Sequence, residues 1–287
     1  MIHFHREQIL SMNLSIIPST TDFSSFNHLQ SLTLHHLEIN VCVSILLKLI
    51  SLPCLSSLSI SKIRNLQYLN EIYRIILALS MLKYYKFLDN DCDFDSPLPM
   101  ATPEQFNSIE ILVIDHSCSF EELVSLVSYT PHLRQLHVMD SMDSMPKITM
   151  MSPTALTNLT HLTILADNID FDEVELFIKR MIFKLKKFVF RTANDTSFLD
   201  ADRWEQLIVQ HLPYVEAFSI IYQEYLSEES GYDIYYGKAN AFLSSFWIER
   251  KWFLDIDIDD NYITYSIQLY RYVIDDFEHP KDYFSIV

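Results

Sequence analysis

The stretch that decides the fold is HLQSLTLHHLEI, residues 28–39, in which Leu29, Leu32, Leu34 and Leu37 stand at steps of three, two and three. A helix would keep an apolar stripe at steps of three and four, and a half-buried strand at steps of two. The stretch fits neither alone. It belongs instead to a pattern, apolar-x-x-apolar-x-apolar, that the chain repeats. Copies follow at Leu55, Leu58, Ile60, at Leu82, Tyr85, Phe87, at Ile109, Leu112, Ile114 and at Leu133, Leu136, Val138. Three more are Leu159, Leu162, Ile164, then Leu185, Phe188, Phe190, then Val215, Phe218, Ile220. From Leu29 the first positions step by 26, 27, 27, 24, 26, 26 and 30 residues, and a weaker copy, Ile9, Met12, Leu14, precedes them.

The last two apolar positions of each copy are two apart, so both side chains point to one face of a short strand. The spacers read as the return path. LNEIYRIILAL sets Leu69, Ile72, Tyr73 and Ile76 on one helical face. SFEELVSLV does the same with Phe120, Leu123, Val124 and Val127, and Ser119 and Glu122 have capping-box spacing. DFDEVELFIKRM offers Asp170 as N-cap and Val174, Phe177, Ile178 and Met181 as its stripe. DRWEQLIVQHLP offers Trp204, Leu207, Ile208 and His211, and Pro213 stops it. Residues 89–107 and 140–158, rich in Pro, Ser, Asp and Met, read as loops, and the Met cluster at 139–151 is either gap-filling or an adaptable partner surface.

A unit of about 26 residues with one strand per turn matches leucine-rich repeats. The expected fold is therefore α/β: a curved leucine-rich-repeat solenoid of about nine irregular repeats over residues 1–223, with a parallel sheet on its concave face. Residues 224–287 read as an acidic α+β cap. Here 17 Asp and Glu stand against 6 Lys and Arg from residue 200 onward, so about −11 of the chain's net −17 gathers at this end. In the cap, 222–238 reads as an exposed loop and KANAFLSSFWIERKW as a helix with Ala239, Phe242, Leu243, Phe246 and Trp247 on its apolar face. FLDIDIDD and ITYSIQLY read as a hairpin. Asp255, Asp257 and Asp259 have the opening spacing of a calcium loop, but the sixth position is Asp260 rather than Gly and the twelfth is Ser266 rather than Glu. A strand with Leu254, Ile256 and Ile258 inward is the better reading.

Composition excludes several function classes. The two glycines, Gly231 and Gly237, cannot build a Walker loop, a dinucleotide-binding turn or a nucleophile elbow. A net charge of −17 argues against nucleic acid and anionic membranes as partners. No stretch approaches a membrane span, and VCVSILLKLISL (41–52) carries Lys48. Cys42, Cys54, Cys92 and Cys118 form no CxxC pair and read as reduced thiols. With no signal peptide legible at MIHFHREQIL, a cytoplasmic or nuclear protein is expected.

The repeats resemble the leucine-rich-repeat region of F-box proteins. Trp204-Glu205-Gln206-Leu207-Ile208, Leu212-Pro213, Phe246-Trp247-Ile248-Glu249, Trp252-Phe253 and Tyr270–Phe277 look like the tail of a divergent invertebrate set of them. The resemblance implies a non-catalytic substrate receptor of a cullin-RING ubiquitin ligase. In such a receptor the F-box docks on a Skp-type adaptor and the repeats hold a protein target. Nothing before Ile9 has room for an F-box, so the chain is expected to be a fragment or to have lost ligase coupling. The alternative is a stand-alone scaffold or inhibitor. The usual Asn or Cys three positions after the last strand leucine does not recur as a ladder. In its place stand Leu37, Ile63, Asn90, Ser117, Ser141, Asp167, Ala193 and Gln223, so irregular post-strand loops are expected.

The partner surface is expected on the outward strand positions. Its candidates are Thr33, His35, Ser59, Tyr84, Lys86 and Asp115 in the first half, and Gln135, His137, His161, Thr163, Lys187 and Arg191 in the second. The face carries one acid in a strongly acidic chain, which suits a partner with acidic and apolar features. Its three histidines lie on strands too far apart for a shared zinc site. No catalytic set, metal or cofactor is expected, and the chain is expected to be a monomer.

Overall fold

The computed structural model describes residues 10–15, 23, 25–65, 69–88, 98–116, 118, 120–139, 156–166, 169–180, 184–225, 239–259 and 262–269. Several expectations lie outside them: Ile9, Asn90, Cys92, Ser117, Ser119, the Met cluster beyond Met139, Asp167, Met181, the 226–238 loop and Tyr270–Phe277.

Each copy of the repeated pattern forms a strand. Their order is β1 (Ser11–Leu14), β2 (Ser31–His35), β3 (Ser57–Ser61), β4 (Tyr84–Leu88), β5 (Ile111–Asp115), β6 (Gln135–Val138), β7 (His161–Ala166), β8 (Lys187–Ala193) and β9 (Ala217–Tyr225). These nine pair in parallel, each with the next in the chain. The register aligns the copies position by position, so that Leu34, Ile60, Phe87, Ile114, Val138, Ile164, Phe190 and Ile220 form one continuous row. Parallel neighbours require the chain to return between strands, and the spacers provide that path. They form α1 (Ile39–Leu49), α2 (Asn70–Leu77), α3 (Phe120–Ser128), α4 (Phe171–Arg180) and α5 (Ala201–His211).

The core lies between the helices and one sheet face. Leu32, Leu34, Leu58, Ile60, Leu136 and Leu162 join Ile45, Tyr73, Leu126, Ile178 and Trp204 in a single apolar cluster. Four helices match the spacers read as helical. The fifth, α1, occupies the apolar run that was weighed only as a membrane span; it buries Cys42, Ile45, Leu46 and Leu49 and leaves Lys48 half-buried. Among the described residues no helix is long and apolar enough to cross a membrane. Pro103–Gln105, within the expected 89–107 loop, is a single 3₁₀ turn.

Two features depart from expectation. KANAFLSSFWIERKW is not one helix. A 3₁₀ turn at Ala239–Leu243 breaks off before α6 (Ser245–Arg250), and Leu243 is exposed rather than on the apolar face. Ser244 sits in extended backbone there, as an N-cap does, and starts a new helix. The post-strand positions also behave unevenly. Leu37 and Ile63 turn inward and are buried, whereas Ala193 and Gln223 remain within the longer strands β8 and β9.

The chain closes with a hairpin, β10 (Trp252–Ile258) and β11 (Tyr262–Leu269). β11 pairs antiparallel with β9 and β10 lies outside it, giving one eleven-stranded, mostly parallel sheet that is not closed into a barrel. β9 spans the 223/224 boundary, and the sheet runs through it. Leu254 and Ile256 pack against the core, Asp255 and Asp257 are exposed, and Ile258 is exposed too. Buried Trp252 seals this end, its ring 5.2 Å from Phe218 and 6.0 Å from Trp247.

Candidate functional site

Alternation along the strands divides the sheet into two unlike faces. The helices cover one. The other, open face presents the outward positions in rows that the register defines. In the first row Tyr84, Ile111, Gln135, His161 and Lys187 are successive neighbours. In the second, Thr33, Ser59, Lys86, Val113, His137 and Thr163 follow one another. In the third, His35 neighbours Ser61, Leu88 neighbours Asp115, and Leu165 neighbours Arg191. All twelve expected positions therefore lie on one face, most of them half-buried.

They do not form one site. His35 sits four strands from His137, with its Nδ1 hydrogen-bonded to the Ser61 hydroxyl. Burial, then the neighbouring His36, lowers its pKa. Thr163 is only 7% exposed, which leaves little of it for a partner. Arg191 donates from Nη2 to Gln223 Oε1 at 2.7 Å, and Gln223 Nε2 donates to Thr264 Oγ1 at 3.3 Å. This guanidinium is tied towards the hairpin.

What the fold does gather is a cationic cluster in the middle of the face. Lys86, His137, His161 and Lys187 lie across β4 to β8. Burial first, then Lys187, His161 and Lys86, push the His137 pKa down to about 4. Burial and then Lys187 and Lys186 lower that of His161. Its ring Nδ1 lies 2.9 Å from Thr160 Oγ1. Both imidazoles are neutral at pH 7 because a proton there would be desolvated and would face the lysines.

A rim of charge that the outward-position list omitted runs along the N-terminal ends of the strands. Lys83, Glu110, Arg134, Thr160, Lys186 and Glu216 extend the hydrogen-bonded ladder by one residue. Glu110 meets Lys83 at 3.4 Å and Arg134 at 3.6 Å, and Lys186 meets Glu216 at 3.8 Å. The signal was present in the pattern: the first of the two variable positions, and not only the second, stays on the strand edge. These pairs are exposed and contribute little to stability.

Among the described residues no group of three His, Cys, Asp or Glu could hold a metal ion. The buried thiol of Cys42 is pushed up to about 12 by desolvation, and burial followed by Glu122 raises that of Cys118. Neither is a thiolate at neutral pH. What the open face can do is bind: it offers backbone-rigid rows of hydroxyl, imidazole and ammonium groups at fixed spacing. No protein-family model matches this chain, and no curated protein matches it.

Proposed function

We propose that the chain is a leucine-rich-repeat solenoid serving as a non-catalytic protein-interaction module, the target-holding part of an F-box-type receptor of a cullin-RING ubiquitin ligase. The observation that carries the binding role is the asymmetry of the sheet. One face is consumed by a continuous apolar core, while the other sets polar and cationic side chains among Leu88, Ile111, Val113 and Leu165 in rows that run in register from β2 to β8. Strands that follow chain order at a spacing near 26 residues support the repeat reading. The net charge of −17 favours a protein over a nucleic acid as the occupant.

The test places a photo-crosslinking residue at Thr33 or Gln135 on the open face, and at Leu47 or Val209 on the helical side. The expected result is one protein crosslinked from the open face only, with recovery falling at least tenfold when Ser59→Trp obstructs that face. Crosslinks from the helical side alone, or recovery indifferent to Ser59→Trp, would overturn the binding role. Co-purification of a Skp-type adaptor with a full-length version that carries an F-box attaches the ligase role. Its absence leaves a stand-alone scaffold or inhibitor.

A further inference from the structure

We infer that the centre of the open face binds an extended acidic segment of a partner protein, gripped by Lys86 and Lys187 at its two ends, and that binding takes up protons at His137 and His161 between them. The inference rests on the open face being the partner surface.

The geometry comes from the register. Lys86 on β4 and Lys187 on β8 are four strands apart, roughly 19 Å at about 4.8 Å per strand, and one row out of line. An extended peptide covers that distance in about six residues. His137 lies in the row of Lys86, two strands along, and His161 lies beside Lys187 in its row. The path from one ammonium to the other therefore passes over both imidazoles.

Charge selects the occupant. The chain carries −17 overall, yet the groups around His137 are predominantly cationic. β4 brings Lys86, β5 brings Asp115 in the third row, β7 brings His161, and β8 brings Lys187 with Arg191 in the third row. The strand carrying His137 begins after Arg134, which shares Glu110 with Lys83 on the rim. Arg191 is held by Gln223, and Lys186 at the rim faces Glu216. Among the described residues of these rows Asp115 is the one acid, alongside Lys86, Lys187 and Arg191. The rest of the surface repels an acidic segment, but at ~0.15 M salt that repulsion is screened beyond about 8 Å, so local complementarity decides.

The proton linkage follows in sign. In the free protein, desolvation and the lysines keep the two imidazoles neutral. A carboxylate laid among them favours the imidazolium. The complex then holds more protons than its separate components, and affinity rises as pH falls.

The probe is a fluorescent twelve-residue poly-aspartate peptide, whose carboxylates stay essentially ionised from pH 7.5 to 5.5. Its control is a poly-asparagine peptide of equal length. By anisotropy, wild-type protein is expected to bind poly-aspartate at least tenfold more tightly than the control. Affinity should strengthen at least fivefold between pH 7.5 and 5.5. K86A/K187A should lose at least tenfold, H137Q/H161Q should bind with the same affinity at pH 7.5 and at pH 5.5, and K48A on α1 should change nothing. Thermal melts of each variant separate lost binding from lost folding. Equal binding of both peptides, full binding by folded K86A/K187A, or an unchanged pH slope in H137Q/H161Q overturns the inference. If open-face crosslinking still captures a partner in that event, only the acidic-segment inference falls. If crosslinking fails as well, the binding face falls with it.

Discussion

His137 shows what one position on the open face costs and offers. Its pKa of about 4 in the folded chain lies below the ordinary value of 6.5, because burial and then Lys187, His161 and Lys86 disfavour the charge. The unfolded chain binds this proton more readily, so stability is full above about pH 6.5 and falls as pH drops towards 4. The loss attributable to this group is about 2–3 kcal/mol. His137→Gln should therefore flatten the urea-unfolding stability profile between pH 6.5 and 4; an unchanged profile would show that His137 is not so disfavoured. Backbone conformation gives a second residue-scale case. With glycine nearly absent, His36, Lys62, Asn65, Asn194 and Lys251 take positive φ among the described residues. Lys251 ends α6 at φ 59 and ψ 33, left-handed geometry that costs a non-glycine residue about 1 kcal/mol. Lys251→Gly should raise unfolding stability by roughly that amount, and a loss in urea melts would contradict the strain argument.

At the scale of elements, α4 and α5 are fastened by one side chain. Arg203 bonds Asp172 Oδ1 at 2.6 Å, reaches Glu175 Oε2, and lies 4.2 Å over the Phe171 ring. Asp195 ties the same corner, accepting from the backbone N–H of Phe171 at 2.7 Å and of Ser197 at 2.9 Å. Burial pulls the Asp195 pKa upward, but these N–H groups together outweigh it and hold it below the usual carboxylate range. Asp195→Ala should cost about 1–2 kcal/mol, as the loss of a helix cap does. Arg203→Met, which keeps the apolar stem, should cost only about 1 kcal/mol because the pair is partly solvated. Equal costs in chemical denaturation would mean that the exposed ion pair matters more than geometry suggests. The helices themselves were legible where a polar N-cap preceded a periodic stripe, as at Asp170 before α4. The broken helix at 239–250 was not, because its apolar spacing continues through the break and only backbone geometry at Ser244 marks it.

For the whole molecule, stability is a chain of neighbour contacts closed at one end by the hairpin. Trp252 is fully buried against Phe218, Phe246 and Trp247, and its indole N–H has no hydrogen-bond partner among the described residues. Trp252→Ala should cost about 3–5 kcal/mol. Trp252→Phe should cost distinctly less, since no hydrogen bond is lost. Thermal melts in which the two variants fall together would refute packing as the basis of this seal.

The repeat period, the core row and the membership of the open face are properties of the sequence alone. Side-chain parity on a strand depends on neighbours one and two residues away, so a local pattern suffices to read it. Which of those outward residues meet was settled by tertiary structure. Lys86, His137, His161 and Lys187 come together only because successive strands stack in one register, and Arg191 is drawn off by Gln223 from the next strand. The hairpin's place on the β9 edge had the same origin: backbone hydrogen bonds between strands leave no mark on composition or periodicity, and only the folded sheet chooses among the possible pairings.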